Sequence, residues 1–272
     1  MASNVRERSV AAVVERVLAD ATGDSFVTPC SAATVETLIE VLDGLDRPAA
    51  VTLLAEEDAL SAAFESFLVA GTAAGLIAAD TLSVRAGTAP DEGLLLATEE
   101  RVVSVVESEE RVRGLTTDDG AFVASVRERY ADASAAAEPF SIQTPPLSRL
   151  HGTLRADLGP NVAEEFERVL ASQSTLRDGA VDEVVIALLI TAREEGLLYD
   201  ISKWGEDVGF ASKATFSRVK SRLEDRGLVG TEKVPIDVGR PRLRLHVDDE
   251  RLGAAPPEEL VTVGRELLAE SA

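Results

Sequence analysis

Apolar positions along the first half of the chain switch between helical and strand-like spacing. Helical spacing predicts an amphipathic helix over residues 5–21, which Gly23 ends, and a second helix after Ser31 as N-cap. A third helix is expected from about Leu60 to Ala78, and a fourth from Asp118 or Asp119 to near Tyr130. Short apolar runs predict strands at 26–28, 50–54, 82–85, 94–97 and 102–106.

This order of elements, αβαβαβββα, predicts an α/β N-terminal domain with a small mixed sheet over residues 1–135. Residues 136–146 are rich in Ala, Ser and Pro, which is typical of a linker. Connecting helices are expected within 147–179, at 147–157 and 161–173.

The hydrophobic pattern changes in residues 180–249. It predicts a buried helix (180–196), a short helix (202–208), a turn at Gly209 and a helix of about 212–226 that stops at Gly227. Strands at 228–234 and 242–247 flank a tight turn. This order predicts an α+β winged helix-turn-helix domain, with the wing at about 237–242. An amphipathic helix follows within 250–272.

The helix over 212–226 has the two-sided pattern of a recognition helix. Phe216, Val219 and Leu223 recur at the spacing of one buried face. The rest of its surface carries hydroxyls and cations, and arginines flank the turn of the wing. Hydroxyls and backbone amides at a helix start can hold phosphates, whereas long cations can reach base edges. The candidate DNA-binding residues are Ser212, Lys213, Thr215, Ser217, Arg218, Ser221, Arg222, Arg240, Arg242 and Arg244.

The distribution of charge supports this interpretation, although the total charge argues against it. The 272 residues include 27 Lys/Arg and 48 Asp/Glu, for a net charge of −21, which should repel phosphates. Residues 203–246, however, hold all four lysines and carry +4, so the other 228 residues carry −25. With four lysines against 23 arginines, the acidic remainder resembles proteins of extreme halophiles, and an ordinary acidic protein is the alternative.

The segment from Ser212 to Val229 (SKATFSRVKSRLEDRGLV) resembles the recognition helix and following strand of archaeal and bacterial winged-helix repressors, and Gly239-Arg-Pro241 resembles their wing. With the composition and the preceding α/β domain, the whole chain resembles the haloarchaeal TbsP regulators. That resemblance implies a transcriptional regulator acting beside the sugar-responsive regulator TrmB in central carbon metabolism. TrmB has its DNA-binding domain at the N-terminus, so none of its sugar-binding residues is carried over.

These features predict a protein that binds double-stranded promoter DNA as a homodimer, since one recognition helix reads only a few base pairs. The helix at 161–173 and the C-terminal helix are the candidate dimer elements. The N-terminal domain is expected to bind a small-molecule effector or a protein co-regulator. The alternative function is a protein-interaction adaptor whose winged helix does not bind DNA. An adaptor predicts that Arg218, Arg222 and Arg242 pair with carboxylates, whereas DNA binding predicts that they are open.

An enzymatic function is not expected, and no catalytic residue, metal or cofactor is predicted. The chain has no phosphate-binding loop of the Gly-x4-Gly-Lys-Ser/Thr type. Residues 1–146 contain no His and no Lys, which excludes phospholipase D catalysis. Cys30 alone forms neither a disulfide framework nor a zinc site, and neither of the two histidines has metal ligands nearby in the sequence. No stretch resembles a signal peptide or a membrane span, so a cytoplasmic location is expected.

Overall fold

The computed structural model describes residues 4–29, 31–91, 93–108, 111–173, 181–235 and 241–270. Cys30 and most of the predicted wing turn, including Arg240, therefore lie outside the described residues. The chain divides into two compact units, which are described separately. The first comprises Met1–Glu65 and Val69–Ile142, and the second comprises Ser66–Leu68 and Gln143–Ala272.

The N-terminal unit is an α/β fold built on one mixed sheet. Its elements are β1 (Val5–Glu7), α1 (Val10–Ala19), β2 (Ser25–Thr28), α2 (Ala32–Gly44), β3 (Val51–Ala55), α3 (Glu57–Phe64), α4 (Phe67–Ala78), β4 (Leu82–Ala86), β5 (Leu95–Ala97), β6 (Val102–Ser108), β7 (Arg111–Thr117), α5 (Gly120–Ala136) and β8 (Glu138–Pro139). The strand order is β1-β7-β6-β5-β2-β3-β4-β8, in which only the β2–β3 and β3–β4 pairs are parallel. The predicted fold class, an α/β domain with a mixed sheet, is confirmed.

Helices cover both faces of the central strands. Apolar residues of α1, α2, α3 and α4 pack with those of the strands in one core cluster. On the other face, Val123, Val126 and Tyr130 of α5 form a separate cluster with strand residues Ala97 and Val102. Asp119 caps α5, since its side chain accepts a hydrogen bond from the Phe122 amide at 2.9 Å.

The hydrophobic pattern does not predict three strands of this sheet. β1 replaces the first turns of the helix expected over 5–21, because Ser9 caps α1 by accepting a hydrogen bond from the Ala12 amide at 3.2 Å. β1 pairs with β7, where a Cβ on Gly114 would lie 2.7 Å from Val103 Cγ1, so this close approach requires glycine. β8 lies within the residues expected to form a linker and pairs with β4.

The helix expected up to Ala78 is in fact two helices. α3 ends where the Glu65 amide bonds to the Ser61 carbonyl at 3.1 Å, and α4 then starts at an angle of 110° to α3, after the buried Ser66. In the described part of the chain no single helix is long and apolar enough to cross a membrane. α3 and α4 meet the length and hydropathy criteria only when they are counted together.

Tyr130 is a residue of α5 and links that helix to the loop before β5. Its side chain is buried, and its hydroxyl donates a hydrogen bond to Asp91 Oδ2 at 3.0 Å. Burial, the largest cause, raises the pKa of Tyr130 to about 12, and the negative charge of Asp91 acts in the same direction.

We predict that alkaline pH destabilises the protein through Tyr130. Above a pH of about 10 the unfolded chain loses this proton and the folded chain keeps it, so stability present below pH 10 is lost as the pH rises toward 12. The expected loss is on the order of 2 kcal/mol. Denaturant unfolding at pH 9 and pH 11.5 measures it, and Tyr130→Phe, which cannot ionise, should lose correspondingly less. An equal loss in both proteins would contradict the prediction.

The C-terminal unit consists mainly of helices around one core. Its elements are α6 (Leu147–Leu158), α7 (Pro160–Ala171), α8 (Glu183–Arg193), α9 (Leu198–Val208), α10 (Lys213–Asp225), β9 (Val229–Val234), β10 (Arg242–Val247), α11 (Glu250–Ala254) and α12 (Leu260–Glu270). α8 lies at the centre, and every residue from Val184 to Ala192 is buried. β9 and β10 form an antiparallel pair with Val229 opposite Val247, as in a winged helix-turn-helix domain.

Two expectations for this unit change with the structure. The short helix expected at Ser202 begins at Leu198, one turn earlier. The apolar residues of α7 and α12 that suggested dimer helices, such as Phe166 and Leu267, are buried in the core of the same unit. Their apolar faces are therefore not available to a second copy of the chain.

Candidate nucleic-acid interface

α10 buries one side and exposes the other, as the sequence pattern predicts. Phe216, Val219 and Leu223 are buried in the core of the C-terminal unit. Gly209, with φ at 79°, ends α9 in the left-handed conformation, which glycine adopts at little cost. Gly227, with φ at 67°, follows the end of α10. The two glycines therefore lie on either side of α10 and mark where the chain enters and leaves this helix.

The exposed side of α10 carries most of the residues predicted to bind DNA. Ser217, Arg218, Ser221 and Arg222 are all exposed, and no hydrogen bond or ion pair joins Arg218 to another residue in the described part of the chain. Ala214 lies on the same exposed side and was missed by the sequence analysis. Helical spacing could have found it, since it precedes Arg218 by one turn, but a methyl group carries no polar signal.

The two hydroxyls at the start of α10 are used in capping the helix. Ser212 Oγ accepts a hydrogen bond from the Thr215 amide at 3.1 Å and lies 2.9 Å from Thr215 Oγ1. This arrangement fixes the helix start and leaves the first backbone amides of α10 without partners inside the helix. The hydroxyls of Ser212 and Thr215 therefore fix the start of α10.

Several predicted DNA-binding cations are paired with carboxylates. Arg242 Nη1 lies 3.1 Å from Asp200 Oδ1, and its guanidinium stacks 4.1 Å from the centre of the Tyr199 ring. Arg244 Nη1 lies 2.9 Å from Glu232 Oε1. The expectation that DNA binding leaves Arg242 open is therefore not met.

The cations at the N-terminal end of α10 and on α9 are paired in the same way. Lys213 forms an ion pair with Glu206, and this hydrogen bond raises the pKa of Lys213. Lys203 Nζ lies 2.5 Å from Asp207 Oδ2, and the pKa of Lys203 is raised for the same reason. Both lysine side chains are about half exposed, so water and ions can reach the pairs.

A groove of about 470 Å³ lies between α9, the start of α10 and the start of β10. Its lining includes Tyr199, Lys213, Ser217 and Arg242. The sequence analysis did not select Tyr199, because a single aromatic residue at a helix start resembles a packing residue; here 44% of it is exposed. The groove lies between the two elements that a winged-helix domain places on DNA.

Other candidate chemistry is not assembled in the described residues. No three His, Cys, Asp or Glu side chains among them come together as metal ligands. His151 lies 3.1 Å from Glu167, and His246 lies 3.1 Å from Asp248, so each histidine has a carboxylate neighbour.

Family comparisons agree with the two-unit division and the helix-turn-helix geometry. Residues 2–145 match the family described as "Transcriptional regulator TbsP-like, N-terminal", and residues 146–265 match "Transcriptional regulator TbsP-like, C-terminal HTH domain". The chain belongs to the TbsP-like family of transcriptional regulators. A TbsP-like protein is accordingly a DNA-binding regulator by family, and its family descriptions name no enzymatic activity.

Comparisons with individual proteins show much weaker similarity to this TbsP-like chain than the family comparisons do. No curated protein matches it. Among solved structures, the archaeal chromatin protein TrmBL2 is 16% identical over 52% of this chain and 55% of its own, with a TM-score of 0.37. The chain thus spans about half the length of TrmBL2. Nuc, a phospholipase D family member from Salmonella typhimurium, is 10% identical over 51% of this chain and 99% of its own, with a TM-score of 0.35. Neither likeness is strong enough to support a functional conclusion.

Proposed function

We propose that this TbsP-like protein regulates transcription by sequence-specific binding to promoter DNA, with α10 in the major groove. The observation that carries the proposal is the exposed side of α10, where Arg218 and Arg222 stand among short side chains above a buried apolar side. Arginine forms bidentate hydrogen bonds to guanine edges, and small residues allow the helix to approach the bases closely.

The predicted residues at the start of α10 and in the wing are assigned to the DNA backbone or the adjacent groove. Ser212, Lys213 and Thr215 stand at the start of α10, where backbone amides and the helix dipole favour a phosphate. Arg242 and Arg244 lie on β10, and Arg240 falls in the predicted wing turn, outside the described residues; we place all three on the adjacent groove or backbone. Phosphate contacts of this kind set register, whereas base contacts set sequence preference.

The proposed regulator acts as a homodimer, because one recognition helix reads only a few base pairs and a second copy supplies the other half-site. The apolar faces of α7 and α12 are buried within the chain, so the dimer would use other surfaces. The N-terminal unit would receive a small-molecule effector or a protein co-regulator. The acidic, lysine-poor composition supports work at high salt in a haloarchaeal cytoplasm, and the TbsP resemblance supports control of sugar metabolism.

A protein-interaction adaptor is the second candidate. The ion pairs of Arg242 with Asp200 and of Lys213 with Glu206 favour it, since these cations already have carboxylate partners. An adaptor would hold the pairs permanently and bind another protein, whereas a DNA-binding protein would exchange them for phosphates.

DNA binding itself is tested by location on the genome followed by titration. We expect chromatin immunoprecipitation from cells grown on contrasting carbon sources to recover promoters with a shared motif. A labelled duplex carrying that motif should bind about 10³-fold more tightly than a scrambled duplex at the same salt concentration. A folded protein that binds neither duplex would favour the adaptor, and one that binds both equally would contradict sequence-specific binding.

A further inference from the structure

Three carboxylates of α9, the helix before the recognition helix, form ion pairs with nearby cations. On α9, Asp200 reaches Arg242 of β10 at 3.1 Å, and Glu206 reaches Lys213 at the start of α10. A third carboxylate, Asp207, reaches Lys203 on α9 itself. All three carboxylate side chains are between 41% and 49% exposed, so they border the candidate interface and are not part of the core.

We propose that Asp200 and Glu206 act as internal competitors of the DNA phosphates for Arg242 and Lys213. In the free protein each cation holds its carboxylate; in the complex each cation exchanges it for a phosphate oxygen. The inference rests on the proposed DNA-binding function and adds to it two carboxylates that set the salt dependence of binding without contacting DNA.

The geometry suits an exchange of partners. Both ion pairs are solvent-accessible, and exposed pairs are weak enough to open without a large cost. The Tyr199 ring, 4.1 Å below the Arg242 guanidinium, can hold that group in place while its hydrogen-bond partner changes. Lys213 and Arg242 line the same groove, so both exchanges occur at one edge of α10.

When a cation exchanges its carboxylate for a phosphate, fewer ions are released as the protein binds DNA. A cation that neutralises a phosphate normally displaces about 0.9 of a condensed counterion, which makes binding weaken as salt rises. If that cation leaves a carboxylate behind, the carboxylate attracts cations from solution, although less strongly than the densely charged duplex does. The net release for that contact is then smaller than about 0.9, so binding falls less steeply with salt. In a chain of charge −21, this makes phosphate contacts usable at salt concentrations where long-range attraction is screened.

The test is the salt dependence of operator affinity for the full chain and for Glu206→Gln and Asp200→Asn. Fluorescence anisotropy gives Kd between about 0.1 and 2 M KCl, and the slope of log K against log[salt] is compared. We expect each substitution to tighten binding about 2- to 5-fold at the lowest salt. We also expect the slope to steepen by about 0.2 to 0.5, so that the gain disappears at about 2 M KCl.

Two controls separate exchange from a general effect of charge. Glu164→Gln removes one negative charge from the C-terminal unit by breaking a pair with Arg155 (3.0 Å) that lies outside the groove, and it should leave the slope unchanged. Glu206→Gln combined with Lys213→Gln should cancel the steepening, because the cation that makes the contact is gone.

The proposed exchange is contradicted if the parent protein binds its operator but Glu206→Gln and Asp200→Asn change the salt slope no more than Glu164→Gln does. Failure of the parent protein to bind any DNA would instead overturn the proposed function and the inference with it. Circular dichroism of each variant verifies that the C-terminal unit remains folded.

Discussion

Replacing Arg218 and Arg222 together by alanine is expected to weaken operator binding at least about 30-fold, because each arginine that reads a base edge contributes about 1–3 kcal/mol. Both side chains are exposed on the outward side of α10, opposite the buried Phe216. Their removal leaves the core unchanged, so the variant should unfold at the same denaturant concentration as the parent protein. Anisotropy titrations with operator and scrambled duplexes measure the effect, and the preference between the two duplexes should also shrink.

The matched control removes the same charge elsewhere in the unit. Arg155 of α6 and Arg251 of α11 are exposed and pair with Glu164 and Glu270. Alanine at both positions changes the net charge by the same amount, and we expect less than about a 5-fold change in affinity, from long-range electrostatics alone. Equal losses in the two double variants would show that charge, and not the face of α10, determines binding; an unchanged affinity in the first variant would refute the assignment of this site.

Replacing Trp204 by alanine is expected to cost about 3–5 kcal/mol in the free energy of unfolding of the C-terminal unit. The side chain is 1% exposed, its ring centre lies 5.1 Å from that of Phe210, and its indole N–H donates to Thr153 Oγ1 at 3.0 Å. Alanine would leave a large cavity between α9 and α6 and remove the hydrogen bond between them. Urea unfolding followed by circular dichroism measures the loss.

Tyr199 gives the comparison for Trp204, because it is the other large aromatic residue of α9 and is 44% exposed. Tyr199→Ala loses little buried surface and one cation–π contact with Arg242, so we expect a loss of about 1 kcal/mol or less. Similar losses for the two variants would contradict the structural role assigned to Trp204.

The fold of the C-terminal unit could be predicted well because its signals are local. Phe216, Val219 and Leu223 mark the buried side of α10 through helical spacing alone, and Gly209 and Gly227 mark its limits through their left-handed backbone. Such signals depend on residues within two or three helical turns of one another. They can therefore be recognised in the sequence without knowledge of how the rest of the chain folds.

The strands that the pattern missed lie where pairing is distant in sequence. β1 has one apolar residue followed by two charged ones, and in β7 Arg113 and Gly114 separate Val112 from Leu115, so neither strand has a run of apolar residues to indicate it. They become strands because Val5 meets Gly114, more than a hundred residues away. No local window contains both partners, and pairing of this kind depends on the assembled sheet.

The sequence by itself determined the two-part organisation, the buried side of α10 and the concentration of lysine in one segment, since each of these depends on residue type and near spacing. Only the tertiary structure decided which cations have partners. Arg242 and Asp200 are 42 positions apart, and their pairing follows from the way β10 passes α9. It also decided that Gly205 must lack a side chain, because a Cβ there would lie 2.3 Å from the Phe216 ring. Periodicity is a local property of the chain, whereas contact between distant segments exists only after they pack.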